Sequence, residues 1–442
     1  MSSVLLIADS DSQLLYCEAL ARDHAACGIR LTINLIPREG TPEAVKQRMH
    51  RLGTVQERSM GVLLQDADLG RYSGIGVFLT GSKIAAFRSA YIRSRQQHPD
   101  RDALLFCGFN GVVLERFEEA VTWRLGYDLI CLNGPRDQVR FERMVGPTPY
   151  HGQATVITGL RRSLVTAPPA PSSRLRQLVF AEQVAMPARL EERERLVALL
   201  VGLARRFPDW RIVMKPRVAR HEATFHDIGE HISDTLARVT PAFPPNLVLS
   251  YSPLPQLLRE SRLFATLSST AFFDALDHGC TPLLVGDFGL RSDLGTHFFG
   301  GSDLMVRLED VQDLDALVDR QGNPDWLRWV GYDPSFSPAS LFSAIQARAV
   351  GACAAPDPRE PALGLQQRGY VVNSADLSSN QLRLNAEEAI ATKDYLEAAR
   401  LLEMAALQRP DHGNIQRRLA AVRARNRLWR RILLLVTPRF SL

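Results

Sequence analysis

The 442-residue chain contains no run approaching the roughly 18 to 20 consecutive apolar residues that a bilayer-crossing helix needs. Ahead of the strand-like Val4–Ile7 there is neither a basic region nor a small-residue cleavage site, so no secretory leader is expected and the protein reads as cytoplasmic. Cysteine is sparse. Cys17, Cys27, Cys107, Cys131, Cys280 and Cys353 are scattered without a C-x-x-C pair, which argues against a disulfide framework or a zinc ribbon and for reduced core thiols. No G-x-x-x-x-G-K-S/T phosphate loop occurs, and Ser73-Gly74-Ile75-Gly76 precedes a strand candidate instead of following one, so P-loop and dehydrogenase readings fall away. With 53 basic against 48 acidic residues the chain is near charge balance, which gives no basis for a general nucleic-acid surface.

Apolar strand candidates do recur, at Val4–Ile7, Ile29–Leu35, Gly76–Leu79, Ala103–Cys107, Asp128–Leu132 and Thr155–Thr158. Between them lie helical or loop segments such as Gln13–His24, Ile84–Arg95 and Leu114–Leu125. This alternation predicts an α/β fold with a parallel sheet covered on both faces. The proline-rich Thr166–Ser173 has linker composition. A second series follows, with strands at Gln177–Phe180, Ile212–Met214, Leu247–Ser250, Leu263–Thr266 and Leu283–Val285. Its helix Ala188–Arg206 has Leu190, Val197, Leu200, Val201 and Ala204 on one face. The expected domains are therefore residues 1–165 and 172–350.

Two elements of the second half point to chemistry. Ser268-Ser269-Thr270 forms a hydroxyl-rich turn between a strand and a short helix, and exits through Gly279-Cys280-Thr281-Pro282. Free backbone N–H groups, hydroxyls and the positive end of a helix dipole would converge there on an anion such as phosphate. The alternative is that Ser269 or Thr270 only caps the helix. Upstream, Trp210–Met214 delivers Lys215-Pro216-Arg217 at a strand's carboxyl end, with His221 four residues on. In doubly wound sheets that is where ligands sit, so these cations either face the binding crevice or are solvated surface charge.

The pairing of Lys215-Pro216-Arg217 with Ser268-Ser269-Thr270 resembles bacterial sialyltransferases, polysialyltransferases and Kdo transferases of the GT-B type. From Val4 to about Ala349 the chain resembles still more a bacterial family of unknown function labelled as glycosyltransferases. That likeness is carried by Ile7-Ala8-Asp9-Ser10-Asp11-Ser12, Val179-Phe180-Ala181-Glu182-Gln183, Lys215-Pro216-Arg217 and Ser268-Ser269-Thr270. Arg217 stands where the sialyltransferase pattern has His, and no acidic-acidic-Gly triplet occurs in the first half.

The resemblance implies GT-B architecture, two Rossmann-like domains with an acceptor on the first and a nucleotide-sugar donor on the second. Lys215, Arg217, Ser268, Ser269 and Thr270 would neutralise the leaving phosphate, and Asp274 stands where many GT-B enzymes bind ribose. Glu182 and Gln183 follow the first strand of the second half, within reach of donor or acceptor. Asp9 and Asp11 are the expected catalytic bases, and Asn110 and Asn133 would orient the acceptor; each can also be a turn or cap residue. Asp9-Ser10-Asp11 alone makes a weak magnesium site, so neither a metal nor a resident cofactor is expected. The expected function is transfer of a sugar, such as a CMP-linked acidic sugar, to a glycan or lipid-linked acceptor. A sugar-nucleotide epimerase, a glycerophosphate transferase or a non-catalytic scaffold on the same fold are the alternatives.

Beyond residue 350 the character changes. Residues 351–380 have linker composition, and 381–425 read as a single tetratricopeptide-like hairpin on Ala386, Ala389, Tyr395, Ala398, Leu402, Ala405, Ala406 and Pro410. The tail, 426–442, is basic: seven arginines lie between 417 and 431, Arg439 follows, and there is no acid after Asp411. Ile415, Leu419, Val422, Trp429, Leu433 and Val436 would share one face of a helix, giving an interfacial helix for an anionic membrane surface or a terminal helix docked on the body.

Overall fold

The computed structural model describes residues 2–37, 43–79, 81–98, 101–114, 117–146, 148–161, 173–183, 186–217, 230–240, 242–347, 379–409, 412–424 and 426–438. His221, Pro410, Arg439 and nearly all of the two linkers lie outside them.

Seven segments of the first half pair into one parallel sheet: β1 Ser2–Ala8, β2 Ile29–Leu35, β3 Thr54–Glu57, β4 Gly74–Phe78, β5 Leu104–Gly108, β6 Leu129–Leu132 and β7 Thr155–Ile157. Their order is β3-β2-β1-β4-β5-β6-β7. The central strands are buried on both faces, as a parallel sheet with helices on each side requires, and this explains their near-continuous apolar runs. At the centre of β4, a Cβ on Gly76 would stand 2.5 Å from the Phe106 ring and 2.8 Å from the Leu6 side chain, so only glycine fits there. Helices Asp11–Ala21, Lys83–Gln97 and Phe117–Thr122 occupy the three expected helical regions.

The second half builds a parallel sheet of β8 Leu175–Ala181, β9 Arg211–Lys215, β10 Leu247–Leu249, β11 Ser261–Thr266, β12 Thr281–Val285 and β13 Met305–Val306. Its order is β10-β9-β8-β11-β12-β13, so the first three strands run outward one way and the last three the other. Helix Leu190–Arg206 covers this sheet through Leu196, Val197, Leu200, Val201, Leu203 and Ala204. Leu190, expected on that face, is half exposed because the helix only begins there.

Two compact units divide the chain. One comprises Met1–Leu132, Asp137–Thr158 and Pro338–Leu442, the other Asn133–Arg136 and Gly159–Ser337. The sequence carried the second domain to residue 350, whereas helix Ala339–Ala347 belongs to the first unit. Its Leu341, Phe342 and Ile345 are buried with Val4, Leu6, Ile29 and Leu31. Gln346 also donates to the Cys27 carbonyl at 2.7 Å.

Among the described residues the C-terminal region has four helices, Ser379–Ala391, Tyr395–Gln408, Gly413–Arg423 and Arg427–Val436. The first three share a core of Leu382, Ala386, Ala389, Ala398, Leu401, Leu402, Ala405, Ile415, Leu419 and Val422. The single amphipathic helix expected through Ile415 and Val436 is therefore two. Asn426 accepts from the Leu428 and Trp429 amides at 2.8 and 3.2 Å and starts a new helix. Ile415, Leu419 and Val422 are core residues, while Trp429 and Val436 are exposed.

Candidate functional site

In the second unit the strand order reverses between β8 and β11, and residues beyond the carboxyl ends of strands flanking such a reversal are placed to meet a ligand. Glu182 and Gln183 leave β8, Lys215 ends β9, and Leu267-Ser268-Ser269-Thr270 leaves β11. The register is set by β8 pairing with both neighbours, Ala181 opposite Lys215 and Ala265 opposite Phe180.

Gln183 spans the reversal. Its Oε1 accepts from the Ser268 amide at 2.9 Å and from the Thr266 hydroxyl at 3.3 Å, and its Nε2 donates to the Ser268 hydroxyl at 3.3 Å. Ser268 departs from the phosphate-binding expectation. It is buried, and its hydroxyl donates to the Leu294 carbonyl at 2.5 Å, so its polar groups are occupied inside the unit. Ser269 caps: its hydroxyl accepts from the Ala271 amide at 3.2 Å. Thr270 is the N-cap residue of helix Ala271–Asp277 yet makes no side-chain capping bond, and Asp274 lies in that helix's first turn.

Beside Gln183 a carboxylate and several cations come together. The Glu182 side chain is 6% exposed, its Oε2 accepts from the Arg217 amide at 3.1 Å, and its Oε1 lies 3.4 Å from the Arg193 guanidinium. The Glu182 amide in turn donates to the Lys215 carbonyl at 3.0 Å. Burial pushes the Glu182 carboxyl above its usual range; the Arg217 amide, Arg193, His231 and Lys215 pull it back. Lys215 is half-buried, with Nζ 3.2 Å from the Pro216 carbonyl, and Arg217 is exposed. A cavity of about 10 Å³ lies against Glu182, Gln183, Met186, Arg193 and Thr235, room for one water. Arg193 is the fourth residue of helix Leu190–Arg206 and His231 the N-cap of helix Ile232–Val239, and neither stands in a motif that sequence alone singles out.

In the first unit the strand order reverses between β1 and β4, and there too a polar pair spans the reversal. Asp9, fully buried after β1, accepts from the Lys83 ammonium at 3.0 Å, and Lys83 opens the helix after β4. Asp11 is the first residue of helix Asp11–Ala21. Asn110 lies two residues beyond β5, and its buried Oδ1 has no hydrogen-bond partner among the described residues. Asn133 falls in the second unit, apart from the acceptor-side group in which the sequence placed it. A Cβ on its neighbour Gly134 would stand 2.4 Å from the Gly331 amide, a close approach that holds this segment there. No group of three or more His, Cys, Asp or Glu arranged for a metal occurs among the described residues.

Residues 4–347 match the family described as "Putative glycosyltransferase (DUF6716)". The chain belongs to this family. No curated protein matches the chain in sequence. Among solved structures, an S. aureus MnaA–UDP co-structure superposes with a TM-score of 0.50 at 10% identity, over 79% of this chain and 97% of that one. A UDP-N-acetylglucosamine 2-epimerase gives 0.48 at 10% identity, over 84% and 98%, and Acinetobacter baumannii MurG gives 0.42 at 11%, over 78% and 100%. At 10% identity the MnaA likeness speaks for the fold alone: two Rossmann-like units, the GT-B architecture, here with a C-terminal helical extension. Membership covers both sheets and ends with helix Ala339–Ala347, leaving the four C-terminal helices outside it. Among the described residues no helix is long and apolar enough to cross a membrane.

Proposed function

We propose that the family member described here is a glycosyltransferase whose nucleotide-sugar donor lies over the carboxyl ends of β8, β9 and β11. The observation that carries this reading is the convergence of Lys215, Arg217, Glu182 and Gln183 at the strand reversal of the second sheet. Lys215 and Arg217 would offset the charge that grows on the leaving phosphate, with Ser269 and Thr270 lining the phosphate side and Asp274 reaching the ribose. The S. aureus protein of similar fold is a UDP complex, which supports a nucleotide on this fold. Two cations at the β9 end also suit an acidic donor such as a CMP-linked sugar.

The acceptor, a glycan or lipid-linked glycan, is assigned to the first unit. There Asn110, whose Oδ1 has no hydrogen-bond partner among the described residues, is the candidate to orient an acceptor hydroxyl. Asp11 is the better general base, since Asp9 is buried and already ion-paired to Lys83. A lipid-linked acceptor would bring the protein to the inner face of a membrane. The reading calls for no resident cofactor.

A second reading has one observation in its favour. Glu182, a buried carboxyl held above its usual range, lies on the donor unit itself, where an epimerase would need an acid or base and no acceptor. Incubation with a panel of UDP- and CMP-sugars separates the two. Release of free nucleotide, increased by an added acceptor, supports transfer; a new sugar nucleotide with no nucleotide released supports epimerisation; neither outcome across the panel removes both.

A further inference from the structure

The last helix, Arg427–Val436, is attached by one face only. Arg430, Leu433, Leu434 and Thr437 are half-buried, at the i, i+3, i+4 and i+7 positions of a single stripe. The buried Arg418 fixes that stripe: it pairs with Glu387 and donates to the Leu434 carbonyl at 2.7 Å and the Thr437 hydroxyl at 3.0 Å. The Arg430 guanidinium lies 4.5 Å over the Tyr395 ring. On the opposite side Leu428, Trp429, Ile432, Leu435 and Val436 are 67, 59, 39, 75 and 70% exposed. Arg427 and Arg431, both exposed, flank this apolar stripe, and no Asp or Glu follows Asp411 in the sequence.

We propose that this outer face docks on an anionic lipid surface. A ten-residue helix is about 15 Å long, half of a hydrocarbon core of about 30 Å, so it would lie in the interface plane and not cross it. Leu, Trp, Ile and Val enter the acyl boundary while Arg427 and Arg431 meet lipid phosphates, an arrangement that uses both parts of the face. Charge argues against a second copy of the chain, because a symmetric pair of these helices would bring arginine rows together. Area argues the same way: one short helix face falls well below the roughly 800 Å² per partner of a stable interface. The proposal rests on the C-terminal helices and not on the donor site, so its test needs neither donor nor acceptor.

The experiment is co-sedimentation of the full chain with phosphatidylcholine vesicles, with and without phosphatidylglycerol. The chain is expected to pellet with the mixed vesicles only, and less so as salt is raised. Arg427→Gln with Arg431→Gln should weaken binding about 25-fold, at roughly fivefold per arginine. Leu428→Ser with Leu435→Ser, both on exposed positions, should abolish it while leaving the circular dichroism spectrum and melting temperature unchanged. Failure of the wild-type chain to pellet, or equal pelleting of wild type and either variant, overturns the proposal. So does a dimer in light scattering that the Leu428→Ser, Leu435→Ser variant dissolves, which would give this face to a second copy.

Discussion

Gln183 accepts the Ser268 amide on Oε1 at 2.9 Å and returns its own amide to the Ser268 hydroxyl at 3.3 Å, tying the end of β8 to the turn after β11. Gln183→Ala would leave the Ser268 amide buried without that acceptor. The expected loss is roughly 1–3 kcal/mol of stability. Denaturant unfolding would measure it, and a variant as stable as wild type would show that the turn is held by Leu294 alone.

The donor assignment makes a separable claim about Lys215 and Arg217. Arg217 is exposed and Lys215 half-buried, so Lys215→Ala and Arg217→Ala should change the melting temperature of the free protein little. Their stabilisation by UDP or CMP in thermal shift should fall, because the ligand's contribution scales with its affinity. Equal nucleotide protection in wild type and both variants would remove the phosphate site from the β9 end.

Glu182 gives a pH signature. Its carboxyl lies above the usual value of 4.5, with burial as the largest cause. The folded chain therefore holds this proton more tightly than the unfolded chain, and the associated stability fades as pH rises from the ordinary value through the raised one. Glu182→Gln lacks that titration. Its melting temperature relative to wild type should climb as pH rises from the ordinary carboxylate value upward; a flat or falling difference would contradict the direction of the shift.

Asp9 and Asp11 should behave differently although they are two residues apart. Asp9→Asn weakens the bond between a buried carboxylate and the partly exposed Lys83 ammonium, and is expected to lower stability by roughly 1–3 kcal/mol. Asp11→Asn should keep the melting temperature and nucleotide protection and lose turnover. An Asp11→Asn protein with full turnover would take the general base elsewhere.

The strands were legible where burial demanded apolar sequence. β1, β5, β8 and β11 lie inside parallel sheets covered on both faces, and each reads as an apolar run. β3, Thr54-Val55-Gln56-Glu57, is a half-exposed edge strand carrying polar residues, and β13 is two residues long, so neither leaves a periodic signal. At the site, local sequence gave the strand ends but not what crosses between them. Arg193 comes from the first turn of helix Leu190–Arg206 and Lys83 from a segment 74 residues after Asp9, contacts that only tertiary packing determines. The break in the C-terminal helix did leave a trace, since Asn426 before Arg427-Leu428-Trp429 is a helix-start signal.

The return of helix Ala339–Ala347 to the first unit makes most of the second unit one insert, entered after Thr158 and left at Ser337, to which Asn133–Arg136 adds a short separate segment. The two ends lie side by side, with the Leu160 amide donating to the Gly331 carbonyl at 2.9 Å and a Cβ on Gly159 reaching within 3.0 Å of Phe336. Neighbouring ends are what permits excision and transplantation of a domain. A fragment of residues 172–350 would strip Leu341, Phe342 and Ile345 from beneath β1 and β2, leaving a hole in one product and a greasy appendage on the other. Excision of residues 159–337, with a short glycine-serine bridge left behind, follows the connectivity more closely, and Asn133–Arg136 is the one segment of the second unit that it leaves in the first.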